Sequence, residues 1–179
     1  MATPKILKRR ATREERKVAA DLGGRRVPLS GAGLEKGDVV IPSNGLYSFR
    51  LEVKTTALDS YTLSSNDWSD VVRSALRSGQ TPLFHINLAP WSRRVRLVIC
   101  TKSFFEALFH RANTVDDARF AKSYRITTKR WYEMERASHT IAKDAVPHLS
   151  IRLKAPTPTF SDLVILRYET FTKKIEEGQ

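Results

Sequence analysis

At 179 residues and 41% hydrophobic, the chain is long and apolar enough for one cored domain, or for one domain with a substantial extension, which excludes a disordered tail. Its 31 Lys+Arg against 19 Asp+Glu give a formal net charge of +12, spread along the chain. That balance calls for a polyanionic partner, of which nucleic acid is the commonest; no long basic amphipathic helix with a strongly apolar face argues for a membrane surface. A single cysteine, Cys100, excludes an internal disulfide and reads as a small buried hydrophobe in a reducing, cytoplasmic setting. No apolar run is long enough to span a bilayer, and the basic N-terminus is not followed by the apolar stretch of a secretory signal.

Residues 1–10 are basic and read as a frayed arm, either a solvated tail or a phosphate-contacting segment. Thr12 is the expected N-cap of a first helix, with Glu15 as its capping-box partner and Gly23-Gly24 as its stop. Ala11, Glu15, Val18 and Leu22 share one stripe, so Glu15 is expected to face inward and Glu14 to face solvent. An acid on an inward stripe needs a metal ion or a cation beside it, unless it serves only as a capping-box residue. Arg25 to Leu29 reads as short β structure leading into the loop Ser30-Gly31-Ala32-Gly33. That loop lacks the G-K-[ST] of a Walker loop, and its glycines would let Ser30 approach a ligand.

Asp38 opens the apolar run Val39-Val40-Ile41, and a turn at Pro42-Ser43-Asn44-Gly45 follows. In Phe49 to Lys54 the period of two puts Phe49, Leu51 and Val53 on one face and Arg50, Glu52 and Lys54 on the other. Two carboxylates and a lysine on neighbouring strands suit a divalent cation and a reactive water. Tyr61-Thr62-Leu63 is a short strand. Ser65 caps a helix whose stripe Trp68, Val71, Val72, Ala75 and Leu76 is expected in the core, with Arg73 and Arg77 on the other face and Gly79 as the stop. Strands follow at Pro82–Leu88 and Val95–Cys100, with a turn around Ala89-Pro90-Trp91 between them. Helix, three strands, helix and two strands make an α/β sandwich with a mixed sheet.

Beyond that, Ser103 caps a helix to about His110, another helix runs from Lys129 to Lys143, strands lie at Leu149–Leu153 and Leu163–Tyr168, and Lys173–Gln179 is a loose tail. His85, His110, His139 and His148 are scattered and read as structural or surface residues rather than ligands.

Glu15-Arg16, the Ser30-Gly31 loop, Gly37-Asp38-Val39 and Leu51-Glu52-Val53-Lys54-Thr55, followed by the Trp68 helix and the strand Pro82–Ile86, resemble archaeal-type Holliday junction resolvases within the PD-(D/E)XK, or restriction-endonuclease-like, nucleases. The resemblance runs from about Arg13 to Lys102. It implies a nuclease core with a central mixed sheet flanked by helices, taken as 11–102 after the basic arm at 1–10; the α+β extension at 103–179 departs from the compact family pattern. It also implies metal ligation by Glu15, Asp38 and Glu52, with Lys54 as catalytic lysine and Ser30 near the scissile phosphate. DNA contacts would come from Arg16 and from Arg25 or Arg26, and the protein would be a homodimer acting on a four-way junction or other branched DNA. Arg73 and Arg77 are added as phosphate contacts from their place on the second helix. Carboxylate ligands suit Mg²⁺ or Mn²⁺ better than Zn²⁺. The competing expectations are a related nuclease acting on duplex DNA or DNA ends, and a basic nucleic-acid-binding protein whose acids are structural.

Overall fold

The computed structural model describes residues 4–27, 38–42, 47–88, 94–110, 116–141 and 146–177. In chain order these form α1 (Pro4–Asp21), β1 (Arg25–Arg26), β2 (Val39–Ile41), β3 (Phe49–Thr56), β4 (Ser60–Ser64), α2 (Ser65–Arg77), β5 (Thr81–Leu88) and β6 (Val95–Thr101). Then come α3 (Lys102–Phe109), β7 (Asp116–Ala121), β8 (Ser123–Thr127), α4 (Thr128–Ile141), β9 (His148–Leu153), β10 (Asp162–Arg167) and α5 (Tyr168–Glu177). Eight strands make one sheet in the order β1-β2-β3-β5-β6-β10-β9-β7, and β4 pairs with β8 apart from it. The β3/β5 and β7/β9 pairs are parallel and the other pairs antiparallel. This is the expected α/β architecture, a mixed sheet flanked by helices. A parallel pair needs a crossover, and α2 supplies it between β3 and β5.

Strand alternation divides the core into two clusters. Leu51, Val53, Leu83, Val98, Cys100, Val164 and Leu166 point to the side covered by α1, α3 and α5. Phe84, Ile86, Leu97, Ile99, Leu149, Ile151 and Ile165 point to the side covered by α2, α4 and the β4–β8 ribbon. Central strands β5, β6 and β10 are buried on both faces, which is why they read as near-continuous apolar runs. Residues 103–179 carry the sheet onward: β10 pairs with β6, and β9 and β7 follow. The indole N–H of Trp68 in α2 also donates to Phe160 O at 2.8 Å, tying the early and late parts of the chain together.

Several local expectations change. The first helix begins at Pro4, so the stretch read as a frayed arm is helical from there and Thr12 lies inside a helix. Proline suits a first helical position, and the Lys, Arg, Leu and Ala that follow are good helix formers. The stop is as expected: Gly23 takes φ 65° and Gly24 N–H donates to Ala19 O at 2.7 Å. Ser64, not Ser65, caps α2, in a reciprocal capping box with Asp67. Leu76 is half exposed rather than in the core, because the buried arc of α2 closes on Trp68, Val71, Val72 and Ala75. Thr101 rather than Ser103 caps α3. The tail expected from Lys173 belongs to α5, whose Phe171 and Ile175 are buried. Cys100 is buried, as expected.

Candidate functional site

Asp38 is fixed by two bonds to β3 (Phe49–Thr56): its N–H donates to Leu51 O at 2.9 Å, and its Oδ2 accepts from Val53 N–H at 2.9 Å. The antiparallel register Val39↔Leu51 sets Asp38 beside Glu52. Because Leu51 and Val53 enter the α1-side core, Glu52 and Lys54 project to the α2 side. Lys54 Nζ lies 2.5 Å from Glu52 Oε1. Burial first, and then the charge of Asp38, push the Glu52 carboxyl above its ordinary range against the pull of Lys54. Burial works against the Lys54 ammonium, but the charge and hydrogen bond of Glu52 outweigh it, so its pKa is raised.

Two further side chains belong to this neighbourhood. The Tyr61 ring lies 6.0 Å from that of Phe84, the β5 partner of Glu52 in register. Its hydroxyl is pushed up to about 12, by burial first and then by Asp67. Asp67 is the capping-box acid of α2, and its charge also reaches Glu52. Sequence reasoning assigned neither to the site. Tyr61 was visible only as a strand residue, and Asp67 carries the signature of a helix cap, which conceals any second role.

The other expected site residues are dispersed. Glu15 is held by Arg26 Nε at 2.6 Å on the α1 side of the sheet. Arg16 and Arg25 are exposed, Arg77 is exposed on α2, and Arg73 pairs with Asp70 at 2.5 Å. Ser30 lies outside the described residues. Among the described residues, no group of three or more His, Cys, Asp or Glu side chains is disposed to hold a metal ion.

The expected helix phase is overturned. Glu14, not Glu15, is the inward acid, only 2% exposed. Its Oε1 meets His85 Nε2 at 3.2 Å and Arg96 Nε at 2.9 Å, and Arg94 donates to its Oε2. Val18 and Leu22 lie four and eight positions from Glu14, so both acids border the same apolar stripe; the cations of β5 and β6 select between them. Burial would raise the Glu14 pKa, but the hydrogen bond and charge of His85 with the charges of Arg96 and Arg94 hold it down to about 2. Burial lowers the pKa of His85. Its buried Nδ1 has no hydrogen-bond partner, so the ring meets Glu14 through Nε2 alone. Arg96 also reaches Asp21 at 3.3 Å and stacks on Tyr168 at 3.9 Å.

No protein-family model matches the chain, and no curated protein matches it. Among solved structures it is similar to Hjc, a Holliday junction resolvase of the archaeal hyperthermophile Archaeoglobus fulgidus, with 24% identity and a TM-score of 0.40 over 47% of this chain and 72% of that one.

Proposed function

We propose that the chain is a metal-dependent nuclease, with Asp38, Glu52 and Lys54 as its reacting centre. The observation that carries this reading is the convergence of two carboxylates and an ammonium on one sheet face, with Glu52 pushed up by burial and by Asp38. Two acids that repel one another in a part-buried setting are what a divalent cation relieves. Mg²⁺ binds through one or two carboxylates while keeping several waters, so Asp38 and Glu52 are a sufficient protein contribution and fit Mg²⁺ or Mn²⁺. Such a cation, when bound, lowers the pKa of a water and neutralises charge on the phosphoryl oxygens.

The chain's own residues supply the rest. The two backbone bonds to Asp38 fix its carboxylate against β3, so it needs no reorganisation to receive a ligand. Lys54 brings a cationic donor beside Glu52, placed to hold a phosphate oxygen or orient the attacking water. Glu15, held by Arg26 on the α1 side of the sheet, is not counted in this centre. The net charge of +12 supports backbone binding with little sequence preference. Branched DNA as substrate, and a homodimer cutting opposed strands, are the finer form of the proposal; the motif order Gly37-Asp38-Val39 and Glu52-Val53-Lys54 supports it.

A second reading, binding without cleavage, is favoured by the closed Glu52–Lys54 pair, a contact already complete in itself. Purified protein with Mg²⁺ or Mn²⁺ and labelled four-way junction, linear duplex and single strand separates the readings. Paired symmetric nicks in the junction support the finer proposal. Equal cutting of plain duplex removes the junction preference. Binding with no cutting in either metal leaves the second reading.

A further inference from the structure

On the opposite face of the sheet from Asp38 and Glu52, a cleft of about 410 Å³ opens between α1 and the C-terminal ends of β3 and β5. Arg10, Arg13, Glu14 and Lys17 line it from the helix at i, i+3, i+4 and i+7, a spacing that puts all four on one face. Thr55, Asn87 and Arg94 line it from the sheet side. Its one carboxylate among the described residues, Glu14, is already engaged by His85, Arg96 and Arg94. Lys17 is offset by Asp21 at 3.1 Å. Arg10 and Arg13 are exposed, with no ion-pair partner among the described residues.

The sheet side adds neutral donors. Thr55 Oγ1 is buried with no hydrogen-bond partner, and an unmade hydrogen bond of that kind carries a desolvation cost that a ligand oxygen would remove. Arg94 Nε donates to Asn87 Oδ1 at 3.1 Å, which orients the amide and leaves its N–H groups as donors. Glu14 in turn anchors Arg94. Among the described residues the lining side chains are all charged or polar, which suits a ligand rich in acceptors. Guanidinium forks with hydroxyl and amide donors match the oxygens of a phosphate.

We infer that this cleft holds a backbone phosphate of a nucleic acid, as a second binding point separate from the Asp38–Glu52–Lys54 cluster. Thr55 directly follows Lys54 on β3, so the two sites meet at the end of one strand, on opposite faces. A nucleic-acid strand crossing that end sets one phosphate at Lys54 and a neighbouring one in the cleft. The inference rests on the reading that the chain acts on nucleic acid, but not on cleavage.

The test is anisotropy of a labelled DNA duplex in EDTA, from about 50 to 200 mM salt, with the parent, the Arg10→Gln/Arg13→Gln double variant and Thr55→Val. The double variant should bind about tenfold more weakly and lose about one to two from the slope of log K against log salt, with an unchanged thermal midpoint. Thr55→Val should weaken binding about threefold with little change of slope, since no charge is removed. A parent that binds while both variants match it in affinity and slope overturns the inference, as does a parent that does not bind. If inorganic phosphate at matched ionic strength raises the parent's melting temperature, and the double variant loses that effect with DNA binding unchanged, the nucleic-acid assignment is overturned in favour of a free anion. Variant-sensitive binding by a parent that cuts no DNA in Mg²⁺ or Mn²⁺ sustains the cleft and removes the nuclease reading.

Discussion

The α1 side of the sheet buries one carboxylate, Glu14, among His85, Arg94 and Arg96, whereas the α2 side sets Asp38 beside Glu52, which pairs with Lys54. In the first cluster donors outnumber acid groups, and the carboxyl is held down to about 2. In the second, burial and the acid beside it push Glu52 up. The first arrangement is stable when every group keeps its ordinary partner. The second leaves Glu52 raised despite its ion pair with Lys54. Similar residue types thus titrate differently according to burial and to the groups set beside them.

The sharpest way to break this comparison is to remove the acids on the α2 side. Asp38→Asn or Glu52→Gln should lower cleavage by at least about 1000-fold, about 4 kcal/mol, while duplex binding and the thermal midpoint stay near the parent's. Gel-based cleavage alongside anisotropy checks this; equal losses of binding and cutting would make these acids structural. On the α1 side the effect should fall on stability. Glu14→Ala leaves buried Arg96 and His85 without their acid, and chemical denaturation should show a loss of about 3–5 kcal/mol. A loss below about 1 kcal/mol would mean the network contributes no net stability.

The pH dependence follows from the same cluster. Glu14 has a folded pKa of about 2 against an ordinary 4.5, so its contribution is complete above about pH 4.5 and disappears as the pH falls towards 2. The shift corresponds to about 3 kcal/mol. His85, whose pKa burial lowers, acts in the same direction: below its ordinary 6.5 the unfolded chain takes up a proton that the folded chain resists. Stability should therefore begin to decline below about pH 6.5 and fall further below 4.5. Glu14→Gln should flatten the lower limb in denaturant titrations across pH; an unchanged limb would place the acid sensitivity elsewhere. The smallest effect concerns how closely α1 is seated on the sheet. A Cβ on Gly24 would lie 2.6 Å from Val40 O and 2.8 Å from Ile41 Cγ1, so Gly24→Ala should cost about 1–3 kcal/mol in thermal or chemical melts. An unchanged melt would show that the loop after α1 can move away from β2.

What could be read from the sequence was whatever local patterning encodes. Alternation across Phe49–Lys54 put Glu52 and Lys54 on one face, and the apolar runs at Pro82–Leu88 and Val95–Cys100 read as strands, which they are. Asp38 and Glu52 were placed as neighbours because their strands follow one another closely. The inward acid of α1 was not legible, since Glu14 and Glu15 both border the apolar stripe and the choice depends on Arg94 and Arg96, some eighty positions later. The β4–β8 ribbon was half legible: Tyr61-Thr62-Leu63 alternates, while its partner Ser123–Thr127 is polar and depends on the pairing itself. The span of α5 was obscured because its sparse apolar stripe gains meaning only against β6 and β10.

The place of β10 between β6 and β9 has a consequence for synthesis. As the polypeptide leaves the ribosome, Val95–Thr101 emerges well before the strand that covers its far edge, Asp162–Arg167. In the interval that edge is a bare ladder of N–H and C=O groups on the apolar segment VRLVICT, a template for pairing with another nascent chain. Sealing it falls to the last strand made, so the aggregation risk during production is set by how soon Asp162–Arg167 follows.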